Sequence, residues 1–168
     1  PKKSIPRRNT GYAIDLLAYS SPFTATQEQF NFCKLLAGSE GTLAFTTELK
    51  LNLVPAPTEH QAVICMHFDS INESLKGNLE ALKFNPTACE LIDHFILDCT
   101  KANKEQQQNR FFVKGDPKAI LVVEFVEESE EELTKVIADC LAHFKQVKLG
   151  YHFPIVKGSD IKKVWTLR

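Results

Sequence analysis

The stretch Ala119-Ile120-Leu121-Val122-Val123-Glu124-Phe125-Val126, followed closely by Ser129-Glu130-Glu131-Glu132-Leu133, decides the fold of this 168-residue chain. Its first eight residues are mostly β-branched or aromatic and read as a strand. Ser129 with Glu132 three residues later is the capping-box signature of a helix start, and the three glutamates suit the positive end of a helix dipole. Leu133, Val136, Ile137, Cys140, Leu141 and Phe144 then recur at i, i+3, i+4, i+7, i+8 and i+11, the apolar stripe of an amphipathic helix. A strand that runs straight into such a helix is one half of a layered arrangement of sheet and helices.

The other half lies upstream. Ala62–Phe68 is a short apolar strand, and Ile71, Leu75, Leu79 and Leu82 follow at helical spacing with Asp69 or Ser70 as N-cap. Ala88–Ile92 is β-like, and its continuation to Lys104 reads as helical. Downstream, Val147–Phe153 reads as a strand and Asp160–Leu167 as a helix that starts after Gly158-Ser159. Two βαβ-type units with antiparallel neighbours predict an α+β, ferredoxin-like sandwich, an antiparallel sheet with helices on one face. The stripes that start at Ile71 and Leu133 are both expected to bury against that sheet, so that residues 58–168 fold as a unit.

Residues 1–57 differ in style. The basic cluster Lys2, Lys3, Arg7 and Arg8 precedes an apolar patch, Ala13 to Leu17, and Gln27–Leu36 is expected to form a short helix that Gly38 stops. From Thr42 to Val54, Leu43, Phe45, Thr47, Leu49, Leu51 and Leu53 alternate with mostly polar neighbours, the period of a half-buried strand. Pro55-Ala56-Pro57 ends it, because proline cannot donate to a ladder, and a domain boundary is placed there.

Bulk properties exclude several classes. Hydrophobic residues make up 43% and charged residues 24%, the balance of a globular protein. A formal charge of −1 gives no field that favours nucleic acid or an anionic membrane. No apolar run reaches the roughly 20 residues that span a bilayer. Cys33, Cys65, Cys89, Cys99 and Cys140 are odd in number and form no C-x-x-C pair, which argues for reduced thiols in the cytoplasm and against a disulfide framework or zinc site. His60, His67, His94, His143 and His152 share no metal-ligand spacing, so no metal is expected. The chain opens at Pro1, has no signal peptide and ends directly after Trp165-Thr166-Leu167-Arg168; it reads as an internal fragment.

Chemistry is concentrated in Leu36-Ala37-Gly38-Ser39-Glu40-Gly41-Thr42-Leu43. Two glycines let the backbone approach a ligand or take positive φ, and N–H groups in such turns meet polar or anionic ligands. Alone, a glycine-rich turn that enters a strand is ordinary. Here it stands with Asn9-Thr10-Gly11-Tyr12 upstream and Thr46-Thr47-Glu48-Leu49-Lys50-Leu51-Asn52-Leu53-Val54-Pro55-Ala56-Pro57 downstream. This combination resembles the end of the FAD-binding domain in FAD-linked oxidases of the vanillyl-alcohol-oxidase type, nearest to the D-lactate, glycolate and D-2-hydroxyglutarate dehydrogenases.

The resemblance implies that residues 1–57 are the C-terminal part of an FAD-binding domain and that residues 58–168 are part of a ferredoxin-like cap over the substrate. It implies FAD as cofactor, with Gly38, Ser39, Glu40, Gly41 and Thr42 lining it. Arg8 or Arg7, with Thr10, would grip the carboxylate of a small D-2-hydroxy acid, since a guanidinium fork matches a carboxylate; the alternative for both arginines is a solvated basic stretch. Trp165-Thr166-Leu167-Arg168 resembles the family's W-x-x-R, with packing and ion pairing as the structural alternative to substrate contact. The catalytic base is not assigned, and the electron acceptor is unnamed, an iron–sulfur domain or subunit being one option. The fragment alone is expected to be inactive and to hold no FAD. The rival readings are another enzyme of the same flavin superfamily, such as an alkyl-dihydroxyacetone-phosphate synthase relative, and a non-catalytic ferredoxin-like binding module.

Overall fold

A computed structural model describes residues 11–25, 28–56 and 58–168. The chain divides into two compact units, Pro1–Val54 and Pro55–Arg168.

The larger unit is built on a four-stranded antiparallel sheet. Its strands are β1 (Gln61–Phe68), β2 (Ala88–Asp93), β3 (Ala119–Val126) and β4 (Ile155–Lys157), in the spatial order β2-β3-β1-β4. β1 and β3 pair along their full lengths, from Gln61 opposite Val126 to Phe68 opposite Ala119. Helix α3 (Ile71–Ala81) connects β1 to β2, and helix α6 (Glu130–Val147) connects β3 to β4. Insertion of β3 between β1 and β2 makes this the split βαβ, ferredoxin-like arrangement.

Both helices start as the sequence predicts. The Ser70 side chain accepts from the Glu73 N–H at 3.1 Å, and Ser129 accepts from the Glu132 N–H at 3.2 Å, each relieving one orphan donor of the first turn. On α6, Leu133, Ile137, Cys140 and Phe144 are buried against Ala62, Ile64, Met66, Phe68, Leu121, Val123 and Phe125 of the sheet.

Helix α3 turns its other face inward. Ser74, Gly77 and Ala81, themselves at helical spacing, are its buried residues, whereas Leu75 is 51% and Leu79 66% exposed. The cause is the bulk already on the sheet: a Cβ on Gly77 would lie 2.7 Å from the ring of buried Phe68. Only small side chains let the helix axis come that close, so the stripe Ile71, Leu75, Leu79 and Leu82 is carried outward. Gly77→Ala tests this. The gain in helix propensity is up to about 1 kcal/mol, but overpacking against Phe68 costs about 1–3 kcal/mol. A net loss is expected in chemical denaturation, and a stabilised variant would show that the helix stands farther from β1.

Helices cover the second face of the sheet as well, beyond the single covered face that the sequence predicts. α4 (His94–Lys101), α5 (Lys104–Gln107) and the turns up to Pro117 fill the β2–β3 connection, and α7 (Ile161–Leu167) closes the chain. Leu97, Phe112, Ile161, Val164 and Leu167 pack there on Val63, Cys65, Ile92, Ile120 and Val122. β1 and β3 are thus covered on both sides, which is why their sequences read as continuous apolar runs rather than alternating ones.

The strand expected over 147–153 is displaced. α6 runs through Val147, and Lys148 (φ 55°) and Gly150 (φ 73°) then take backbone conformations that no strand holds. At Gly150 a Cβ would also lie 3.0 Å from the His67 carbonyl oxygen. Pairing resumes with one bridge between His67 and His152 and continues in β4. Cys65 and Cys140 are buried core thiols and Cys89 is half-buried; burial pushes the first two up to about 12 and Cys89 up to about 11. Cys33 and Cys99 are exposed.

In the smaller unit the described elements are α1 (Ile14–Ala18) and α2 (Cys33–Leu36). α2 is one turn of the helix expected over Gln27–Leu36, and Gln27 lies outside the described residues. Among the described residues of 11–54 only Ser20 and Ser39 are buried. The strand expected over Thr42–Val54 is not formed there. A strand needs a ladder partner for its N–H and C=O groups, and no described residue pairs with this segment. Its alternating side chains are exposed instead, Phe45 by 91% and Leu53 by 93%. Among the described residues no helix is long and apolar enough to cross a membrane.

Candidate functional site

The glycine turn grows out of the end of α2. The Ala37 N–H bonds back to the Cys33 carbonyl at 2.8 Å and the Ser39 N–H to the Leu36 carbonyl at 3.0 Å. Gly38 (φ 84°), Glu40 (φ 52°) and Gly41 (φ 73°) all lie in the left-handed region. Glycine is required at Gly38 and Gly41 because an L side chain is strained there, and Glu40 bears that strain. A second closure follows, the Thr42 N–H donating to the Ser39 carbonyl at 3.0 Å and the Thr42 hydroxyl to the same oxygen at 2.6 Å. Ser39 is buried inside the turn, and the other four residues are exposed.

Two features suit this turn to a ligand. A Cβ built on Gly38 or Gly41 meets no atom within 4 Å, so the space beside both glycines is open. Among the described residues, no group accepts from the N–H of Gly38, Glu40 or Gly41. The donor set fits a polar, uncharged part of a cofactor, because the exposed Glu40 carboxylate opposes a phosphate at this spot.

Tyr12, the last residue of the upstream motif, reaches this turn, its hydroxyl standing 2.8 Å from Thr42 Oγ1. Two stretches that the sequence placed 30 residues apart are therefore joined by a hydrogen bond. The candidate substrate residues Arg7, Arg8 and Thr10 lie outside the described residues. Sequence reasoning gave Tyr12 no role of its own; its hydroxyl within the motif was the available signal. In the same unit Ile14, Leu17, Ala18, Phe23 and Phe30 line an open apolar hollow of about 470 Å³.

In the larger unit Trp165 and Arg168 are engaged within the chain. The Trp165 indole N–H donates to Glu124 at 3.3 Å, and the Arg168 guanidinium pairs with Glu90 and lies 5.6 Å from the Trp165 ring centre. These are the contacts of the packing and ion-pair alternative. The acidic run before α6 is likewise structural: Ser129 caps the helix, and Glu130 pairs with Lys157, whose hydrogen bond holds its carboxyl below the usual range. Among the described residues no three His, Cys, Asp or Glu side chains form a group that could hold a metal.

Comparison with known proteins places these features in context. No family model matches the chain. It is 28% identical over 142 residues to a D-2-hydroxyglutarate dehydrogenase of Haemophilus influenzae, covering 80% of this chain and 13% of that protein. The resemblance is to D-2-hydroxy-acid dehydrogenases. Proteins with the same name in Pseudomonas putida and Pantoea ananatis are 22% and 24% identical, over 84% and 71% of this chain. The chain spans only 12–15% of the length of these dehydrogenases.

Proposed function

We propose that this chain is part of a longer FAD-dependent dehydrogenase that oxidises a small D-2-hydroxy acid of the lactate, glycolate or 2-hydroxyglutarate type. The observation that carries the reading is the agreement of three relatives that bear one name, each aligned over at least 71% of the chain. In this reading residues 1–57 complete an FAD-binding domain and residues 58–168 contribute a ferredoxin-like cap. The open side of the Gly38–Thr42 turn meets the cofactor through backbone donors. Arg8 or Arg7, with Thr10, holds the substrate carboxylate and so fixes the orientation of the hydroxyl-bearing carbon. When bound, the flavin supplies the acceptor for the hydride that leaves C2. The chain's own share is orientation and electrostatics, and no side chain within it is assigned as the base.

The test is made in the longer protein. Purified, it is expected to show a flavin absorbance spectrum, and a colourless protein that takes up no FAD would end this reading. Arg8→Ala should remove a charge-assisted bidentate contact worth about 1.5–3 kcal/mol in kcat/KM with flavin content retained. Arg7→Ala should be mild, because exposed ion pairs contribute about 0–1 kcal/mol. The two roles exchange if Arg7 is the gripping residue. Equal kinetics for wild type and both variants would return the arginines to solvated charge.

A further inference from the structure

The geometry points to Tyr12 as a positioning residue that fixes the glycine turn for the cofactor, an inference that rests on the flavoenzyme reading above and names one residue more. The hydroxyl of Thr42 has a single proton, which it donates to the Ser39 carbonyl at 2.6 Å. At the 2.8 Å contact with Tyr12 the Thr42 oxygen can therefore only accept, and the phenol is the donor. The result is a directed chain, from the Tyr12 O–H to Thr42 Oγ1 and from the Thr42 O–H to the Ser39 carbonyl, and its last acceptor is the one buried residue of the turn. Between Ser39 and Thr42 stand Glu40 and Gly41, both at positive φ, and Glu40 is strained there. A strained loop holds one conformation only when its surroundings over-determine it. The described contacts that do so are the Thr42 backbone bond, the Thr42 hydroxyl bond and the reach of Tyr12.

Tyr12 is itself set by its predecessor, since Gly11 (φ 69°) turns the backbone just before it. In sequence Tyr12 follows directly on Arg7-Arg8-Asn9-Thr10-Gly11, the stretch assigned to the substrate carboxylate. The hydrogen bond between Tyr12 and Thr42 thus joins the residue that ends this stretch to the glycine turn. Tyr12 is 45% exposed as a residue, and with its proton committed to Thr42 its phenol oxygen keeps its lone pairs for a donor.

Two measurements test this separately from the flavin assignment. In the 168-residue chain, amide hydrogen exchange at Ser39 and Thr42, the hydrogen-bonded N–H groups of the turn, is compared for wild type, Tyr12→Phe, Thr42→Val and Thr42→Ser. Loss of one neutral hydrogen bond should raise exchange in the turn about five- to tenfold in Tyr12→Phe and at least as much in Thr42→Val. Thr42→Ser, which keeps the hydroxyl, should restore wild-type rates, and exchange in 119–147 should not change in any of them. In the longer protein, FAD affinity followed by flavin fluorescence should be about five- to tenfold weaker in Tyr12→Phe. Unchanged exchange in Tyr12→Phe overturns the clip. Faster exchange with wild-type FAD affinity overturns its role toward the cofactor. A wild-type longer protein that binds no flavin is a different failure, that of the functional reading itself.

Discussion

Phe144→Ala is expected to cost about 3–5 kcal/mol of folding stability, a large part of the margin of about 5–15 kcal/mol of an ordinary domain. Phe144 lies on α6 with no exposed surface, its ring 6.0 Å from that of Phe153 in an edge-on contact. Around it stand side chains of β1, β3 and α6, so truncation opens a cavity where three elements meet and none can close it alone. Leu79→Ala is the paired control. It removes a side chain of similar apolar character from a predicted stripe, yet Leu79 is mostly exposed on α3, and a change within about 0.5 kcal/mol is expected. Denaturant midpoints of the two variants decide which helix face is core. Similar losses in both would mean that α3 buries its leucines after all.

That contrast shows what local sequence carries and what it lacks. Periodicity locates α3 and α6 equally well, and Ser70 and Ser129 mark both starts. Which face turns inward is settled by the partner surface. Under α6 the sheet leaves room for Leu133, Ile137 and Phe144, whereas under α3 Phe68 already occupies the space and only Gly77 fits. The strands β1 and β3 were legible from β-branched runs, and β3 was read to the residue. The run 42–54 has an equally clear alternation but no partner among the described residues, and alternation without a ladder makes no strand. At the site, sequence offered residue types and order. The contact between Tyr12 and Thr42 depends on how the chain turns at Gly11 and after α2, which neither motif states alone.

Folding stability should fall as the pH is lowered from 7 to 5, by about 2 kcal/mol, through His67 alone. His67 sits on β1 with no exposed surface. Its Nε2 accepts from the Lys114 N–H at 3.2 Å, so its Nδ1 carries the proton and donates to the Cys65 carbonyl at 2.9 Å. Both ring nitrogens are satisfied only in the neutral state, since an added proton turns the Nε2 acceptor into a donor that faces another donor. Burial is the largest cause that pushes His67 down to about 4, and the charge of His152, whose ring lies 4.9 Å away, adds to it. The unfolded chain takes up its proton near pH 6.5 and the folded one only near pH 4. Between these values the unfolded state binds more protons, so stability is complete above 6.5 and drains away as the pH falls toward 4, by about 3 kcal/mol in total. The comparison at pH 7 and 5 stays mostly above the range in which Glu80, Asp116 and Glu130, held low by their lysine partners, begin to protonate. His67→Gln takes no proton; it should be less stable at pH 7 and should lose the histidine share of the slope. Equal slopes for wild type and His67→Gln would mean that His67 takes its proton in the folded chain as readily as in the unfolded one, and that the Lys114 contact does not hold it neutral.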